Sequence, residues 1–174
     1  MDQDDRALVA AFLAARSEDA FGTLYRRHSP MVFGLARRLA GAAEAEDVLQ
    51  EAWVRAIAGL PAFAWASSLR TWLCGIAVNC CRERWRRQIT SPEPEPVVAP
   101  AISERTLDVQ AALARLSPGY RAVVVLHDVY GYTHVEIAAM LDIEAGTSKS
   151  QLARGRQALR VLLGATREGV HHDA

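Results

Sequence analysis

The sequence predicts an all-α protein: two small helical domains joined by a flexible, proline-rich linker, the C-terminal one a helix-turn-helix. Three observations carry this. Apolar residues recur at helical spacing through two blocks, about 4–87 and 104–167. The segment between them, QITSPEPEPVVAPAIS, has no such period. Near the C-terminal end a Thr-x-x-Glu pattern opens a short helix, a break and a long basic helix.

The first block divides into four predicted helices. Leu8, Phe12 and Ala15, then Phe21, Leu24 and Tyr25, recur at helical spacing. Ser29-Pro30 predicts a break, after which Val32, Leu35, Ala36 and Leu39 share one face. Beyond Gly41, residues 45–58 start acidic with Glu46 and Asp47, as the positive end of a helix dipole favours. Val48, Leu49, Ala52, Trp53 and Ile57 form their apolar stripe, and Gly59-Leu60-Pro61 ends the helix. A last helix, about 69–87, groups Trp72, Leu73, Ile76, Ala77 and Cys80.

Alternating Pro and Glu over 88–103 favours an extended chain. At ~3.1 Å per residue its length allows a reach of roughly 50 Å, which suits a tether between bodies. Domain boundaries are therefore expected at 1–87, 88–103 and 104–174. In the second block Leu107, Ala111, Leu113 and Leu116 mark a helix that stops at Ser117-Pro118-Gly119. Another runs from Arg121 to Asp128 and ends near Gly131. Thr133 and Glu136 form a capping box for a short helix, 135–141. A tight break beginning at Asp142-Ile143 leads into a basic helix to about Leu163, with Ile137, Ala138, Leu141, Ile143 and Leu152 as the small core.

Composition narrows the function. The chain has 174 residues, and its 20 basic and 20 acidic side chains balance, which argues against a uniformly basic coat for nucleic acid. The charge is local instead. Residues 145–167 hold five basic residues and no acidic one, and 82–87 form a second basic cluster. Two patches on a neutral protein point to two polyanion contacts. Neither a bilayer-spanning apolar run nor a secretory signal is present, so the expected location is the cytoplasm. Three clustered cysteines, Cys74, Cys80 and Cys81, make no disulfide framework or CxxC metal pair and are read as buried thiols. His28, His127 and His134 are isolated, and His171, His172 and Asp173 sit in the tail. No cofactor or metal is expected, and the motifs of phosphate-binding or nucleophilic enzymes are missing.

The long basic helix opens with Thr147, Ser148, Lys149, Ser150, Gln151 and Arg154, donors suited to phosphates and base edges in a major groove. Gln151 and Arg154 are the candidates for base edges. In the first block the aromatic loop around Phe63 and Trp65 precedes a helix ending in Asn79, Arg82, Arg84, Trp85, Arg86 and Arg87. Aromatic rings beside a charged track suit unpaired bases, although Phe63, Trp65 and Trp72 equally suit a core.

Taken together these segments resemble an extracytoplasmic-function sigma factor of the sigma-70 family, over nearly the whole chain. Asp47-Val48-Leu49-Gln50-Glu51-Ala52-Trp53 is similar to the family's D-x-x-Q-E-x-[FW] polymerase-binding segment. Residues 69–79, LRTWLCGIAVN, are similar to its W-L-x-x-I-A-x-N promoter-melting helix, and Leu116-Ser117-Pro118 with Arg121 and 132–152 to its C-terminal helix-turn-helix. The resemblance implies a non-enzyme that directs core RNA polymerase to promoters. Asp47, Gln50, Glu51 and Trp53 would meet the β′ clamp helices, and the second domain the β flap. Phe63, Trp65, Ser67, Arg70, Trp72, Asn79, Arg82 and Arg86 would open the −10 element and hold a flipped base. Thr147, Ser148, Lys149, Ser150, Gln151, Arg154 and Arg156 would read the −35 duplex. The linker would thread toward the RNA exit channel, and an anti-sigma protein would hold the factor inactive. The family's usual residues differ at three places here: glycine at Asp142, apolar at Ser148 and basic at Gln151. Two other readings are a conventional helix-turn-helix regulator of duplex DNA, which needs neither Asp47 nor the aromatic loop, and an interaction adaptor without DNA function.

Overall fold

The computed structural model describes residues 2–90 and 104–169, with side chains over 4–87 and 109–164. Among the described residues there is no strand. The helices are α1 (Asp2–Ala15), α2 (Glu18–Ala40), α3 (Ala45–Gly59), α4 (Leu69–Thr90), α5 (Glu104–Arg115), α6 (Pro118–Val124), α7 (His134–Leu141) and α8 (Ala145–Gly169). They form two compact units that divide between Glu83 and Arg84, inside α4. Helix α4 continues to Thr90 and so takes in the first three residues of the expected linker. Residues 91–103 and His171, His172 and Asp173 lie outside the described residues.

In the first unit α1 and α3 pack on α2. The chain breaks at Arg16, whose φ is 50°, and Ser17 then caps α2 by accepting from the Ala20 N–H at 3.2 Å. The break predicted at Ser29-Pro30 does not occur: α2 runs through Pro30. An interior proline costs about 3 kcal/mol. Leu24 on one side of it, and Val32, Leu35 and Leu39 on the other, are all buried. At about 1.5–3 kcal/mol for each such side chain, burial on one continuous face wins. Pro30 itself points outward. The indole N–H of Trp53 donates to Ser29 Oγ at 2.9 Å and ties α3 to this stretch. Asp5 of α1 is buried and accepts from Arg27 Nη1 at 2.6 Å, with His28 Nε2 at 3.1 Å, so the carboxylate is matched by two partners.

In the second unit α8 is the spine, packed by α5, α6 and α7. Arg121 donates to the carbonyls of Ala114 and Leu116 and closes the end of α5. Helix α6 starts three residues earlier than expected, because Pro118 sits at its first turn, where a missing N–H costs nothing. Its continuation, Val125–Val129, widens into a π turn and closes at Gly131, with φ of 73°. Gly155 lets α8 approach α6: a methyl there would stand 2.7 Å from Val124 Cγ2.

Candidate functional surfaces

Helix α3 presents the first surface. Asp47 and Gln50 are exposed on one face, and Val54, one helical step further, is two-thirds exposed. That valine is a surface residue the sequence reading missed; its signal was the i, i+4 spacing from Gln50. Glu51 is half-buried and accepts from Arg55, which also donates to Glu83 of α4 at 2.8 Å. The hydrogen bond to Glu83 raises the affinity of Arg55 for its proton, partly opposed by burial. Trp53 lies on the buried side of α3, as its place in the apolar stripe predicts. It is edge-on to Phe21 with centroids 5.6 Å apart, so it supports the surface from below.

The second surface is the segment between α3 and α4. Leu60–Ala62 form a 3₁₀ turn, and Ser68 caps α4 by accepting from the Thr71 N–H at 3.1 Å. Phe63 stacks on Trp72 at 4.6 Å and meets Trp65 at 4.7 Å. All three rings are half-buried, placed between the core and the open surface. Gly59 makes room for Trp72, since a methyl there would stand 2.9 Å from the indole. Trp65 has φ of 57°, and the guanidinium of Arg6 lies 4.6 Å from its ring centroid. Ser67, Arg70, Asn79 and Arg86 are exposed and Arg82 is half-buried. The three cysteines are buried, as their spacing predicts.

The third surface is α7 and α8. The capping box forms: Glu136 accepts from the Thr133 N–H at 2.8 Å, and Thr133 Oγ1 accepts from the Glu136 N–H at 3.3 Å. Asp142 takes the left-handed turn, φ 54° and ψ 56°. Ile137, Leu141 and Leu152 are buried as expected, joined by Met140, while Ala138 and Ile143 are only half-buried. Lys149, Ser150 and Arg154 are exposed along the first turns of α8, with Thr147 and Gln151 half-buried beside them.

Ser148 differs from its expected place. It is fully buried and shares a 2.9 Å hydrogen bond with His134 Nδ1 of α7. A polar residue therefore sits in the small core without leaving an unmatched hydroxyl. The His134 ring stacks on His127 at 4.9 Å. His127 Nδ1 lies 2.8 Å from Asp128 Oδ1, and a carboxylate can only accept, so that nitrogen carries a proton. Arg156 donates to Asp128 through Nε at 3.0 Å and through Nη2. Arg156 is thus tied to the Val125–Val129 turn that follows α6. Desolvation, then His127, Lys149 and Arg156, lower the proton affinity of His134. The Arg156 hydrogen bond chiefly lowers that of Asp128.

Comparison with known proteins decides the family. Residues 24–89 match Sigma-70 region 2 and residues 106–159 match Sigma-70, region 4. The chain is 36% identical over 177 residues to the ECF RNA polymerase sigma factor SigM of Mycobacterium tuberculosis, covering 98% of this chain and 90% of that one. The chain belongs to the ECF RNA polymerase sigma factors. This sigma factor is also 30% identical to SigW of Bacillus subtilis, over 82% of its own length and 88% of the relative's. Its fold is similar to the sigma factor RpoE of Bartonella quintana, solved with the anti-sigma factor NepR: TM-score 0.71, 26% identity, covering 83% of this chain and 96% of that one. As an alternative sigma factor it binds core RNA polymerase and promoter DNA and directs transcription initiation. The region 2 match begins inside α2 and leaves α1 outside it, while the region 4 match takes in α6, α7 and the exposed turns of α8. Among the described residues no helix of this sigma factor is long and apolar enough to cross a membrane, and no group of three or more His, Cys, Asp or Glu could hold a metal ion.

Proposed function

We propose that the three surfaces divide the work of initiation, within a domain plan of 1–87, 88–103 and 104–174. Asp47, Gln50 and Glu51 of α3 meet the clamp helices of the polymerase β′ subunit, with Val54 adding apolar contact, and the second unit meets the β flap. Phe63, Trp65 and Trp72, with Ser67, Arg70, Asn79, Arg82 and Arg86, take the −10 element. Lys149, Ser150 and Arg154, flanked by Thr147, Gln151 and Arg156, take the −35 duplex. The observation that carries this is the arrangement along α8, where Ser148 and Leu152 turn inward while Lys149, Ser150 and Arg154 face out. Charge and donors on the open side of a helix-turn-helix suit phosphates and base edges.

The polymerase supplies the chemistry, and the sigma factor acts in the cytoplasm, where the polymerase works. An anti-sigma protein covers the polymerase-binding surfaces when the factor is off, a reading supported by the Bartonella relative's complex with NepR. The test is transcription in vitro with sigma-free core polymerase and fragments of the source genome. Transcripts sharing one upstream −35/−10 pattern, lost on Asp47→Ala with Gln50→Ala, are expected. Salt-sensitive binding to specific duplexes without any transcript would instead mark a conventional helix-turn-helix regulator.

A further inference from the structure

Trp65 is held in a conformation it would not choose. A left-handed backbone is disfavoured for any residue with a Cβ, and Trp65 has φ of 57°. Two neighbours keep it there. Phe63 stands 4.7 Å from the ring, and the Arg6 guanidinium stands 4.6 Å from its centroid, within range of a cation–π attraction.

Arg6 belongs to α1, which is itself pinned one residue away. Asp5 is 2% exposed and bonded to Arg27 and His28 of α2, so α1 cannot slide without uncovering a paired buried carboxylate. Helix α1 also packs on the Leu60–Ala62 turn from which the loop departs. A residue outside the region 2 match thus reaches over the ring proposed to stack on an unpaired base.

We propose that Arg6 is a positioning residue for promoter melting: it holds Trp65, and with it the loop 63–68, in the geometry that captures a flipped base. The inference rests on the assignment of that loop to the −10 element. Its physical content is preorganisation. A loop already fixed loses less freedom when a base arrives, so part of the ordering cost is met in the free chain. The contact is electrostatic and partly exposed, so removing it is expected to weaken capture by about two- to five-fold, the range such contacts support.

The test uses the full chain in four forms: wild type, Arg6→Ala, Arg6→Lys and Arg6→Gln. Chymotrypsin cleavage after Trp65 in the free protein reads the loop without DNA. Arg6→Ala and Arg6→Gln are expected to speed cleavage several-fold, with the thermal midpoint unchanged, while Arg6→Lys stays near wild type. The second readout is binding of a labelled non-template −10 strand by the chain with core polymerase. There Arg6→Ala should weaken binding in the wild-type background and add nothing in a Trp65→Leu background, because its effect passes through the ring. Equal cleavage of wild type and Arg6→Ala overturns the positioning role. Full additivity with Trp65→Leu overturns it too, and assigns Arg6 a direct contact with the strand. A wild-type chain that opens no promoter overturns the assignment of the loop and the inference built on it, whatever the proteolysis shows.

Discussion

Replacing Gly155 with alanine sets helix propensity against packing, and the geometry decides between them. In an open helix the change would stabilise by about 0.8–1 kcal/mol. Here the new methyl stands 2.7 Å from Val124 Cγ2 and 3.4 Å from Cβ and the carbonyl oxygen of Tyr120. Val124 is buried in α6, and a β-branched side chain in a helix has one strongly preferred rotamer, so the blocking methyl cannot swing away. Overpacking of this kind costs about 1–3 kcal/mol. The expected net effect is a loss of about 1 kcal/mol, near 4–8 °C for a unit of this size.

Hydrogen exchange of α6–α8 peptides in the full chain, followed through a urea series, isolates the second unit from the first. Val124→Ala removes the offending methyl. Alone it should cost about 1.6 kcal/mol, at ~0.8 kcal/mol per buried carbon. Combined with Gly155→Ala, the pair should cost less than the separate losses together, by about 1 kcal/mol. A Gly155→Ala chain that is more stable than wild type, or two losses that add strictly, would refute the reasoning.

Other outcomes follow from the same geometry. His134 has its proton affinity lowered on folding, so its contribution is complete above the usual histidine value of 6.5 and is lost as pH falls below it. Asp128, also lowered, contributes above its usual 3.8 and loses that contribution as pH falls through its depressed value. The urea midpoint of the second unit should therefore drop between about pH 7.5 and 5.5, and His134→Gln should flatten that drop. Trp53→Phe leaves the buried Ser29 hydroxyl without its donor and should destabilise the first unit by about 1–3 kcal/mol in chemical denaturation. Lys149→Ala should weaken DNA binding evenly across sequences and reduce the slope of log affinity against log salt by about 1, as fluorescence anisotropy would show.

The second unit was the more legible because its signals are local. Thr133 and Glu136 lie three residues apart, and Asp142 announces the turn by its tolerance of left-handed backbone. The inward turn of Ser148 was also within reach: it lies four residues before Leu152, already assigned to the core, and such residues share a face. Pro30 misled because propensity is local while the face that overrides it is assembled from α1 and α3. The partner that matches Ser148 is fourteen positions away, and Arg6 and Trp65 are farther apart still. Nothing in a single sequence brings such pairs together, since only the packing of helices decides which faces meet.

Arg55 carries a consequence for engineering. It joins Glu51, on the helix proposed to face the enzyme, to Glu83 of α4, the helix proposed to face the promoter. On the proposed assignment, partner choice and promoter choice are therefore not independent modules on this scaffold. A swap that imports a foreign α3 alone breaks the Arg55–Glu83 pair that ties α3 to α4. Portability begins at the α3–α4 hairpin exchanged whole, Arg55 and Glu83 travelling together.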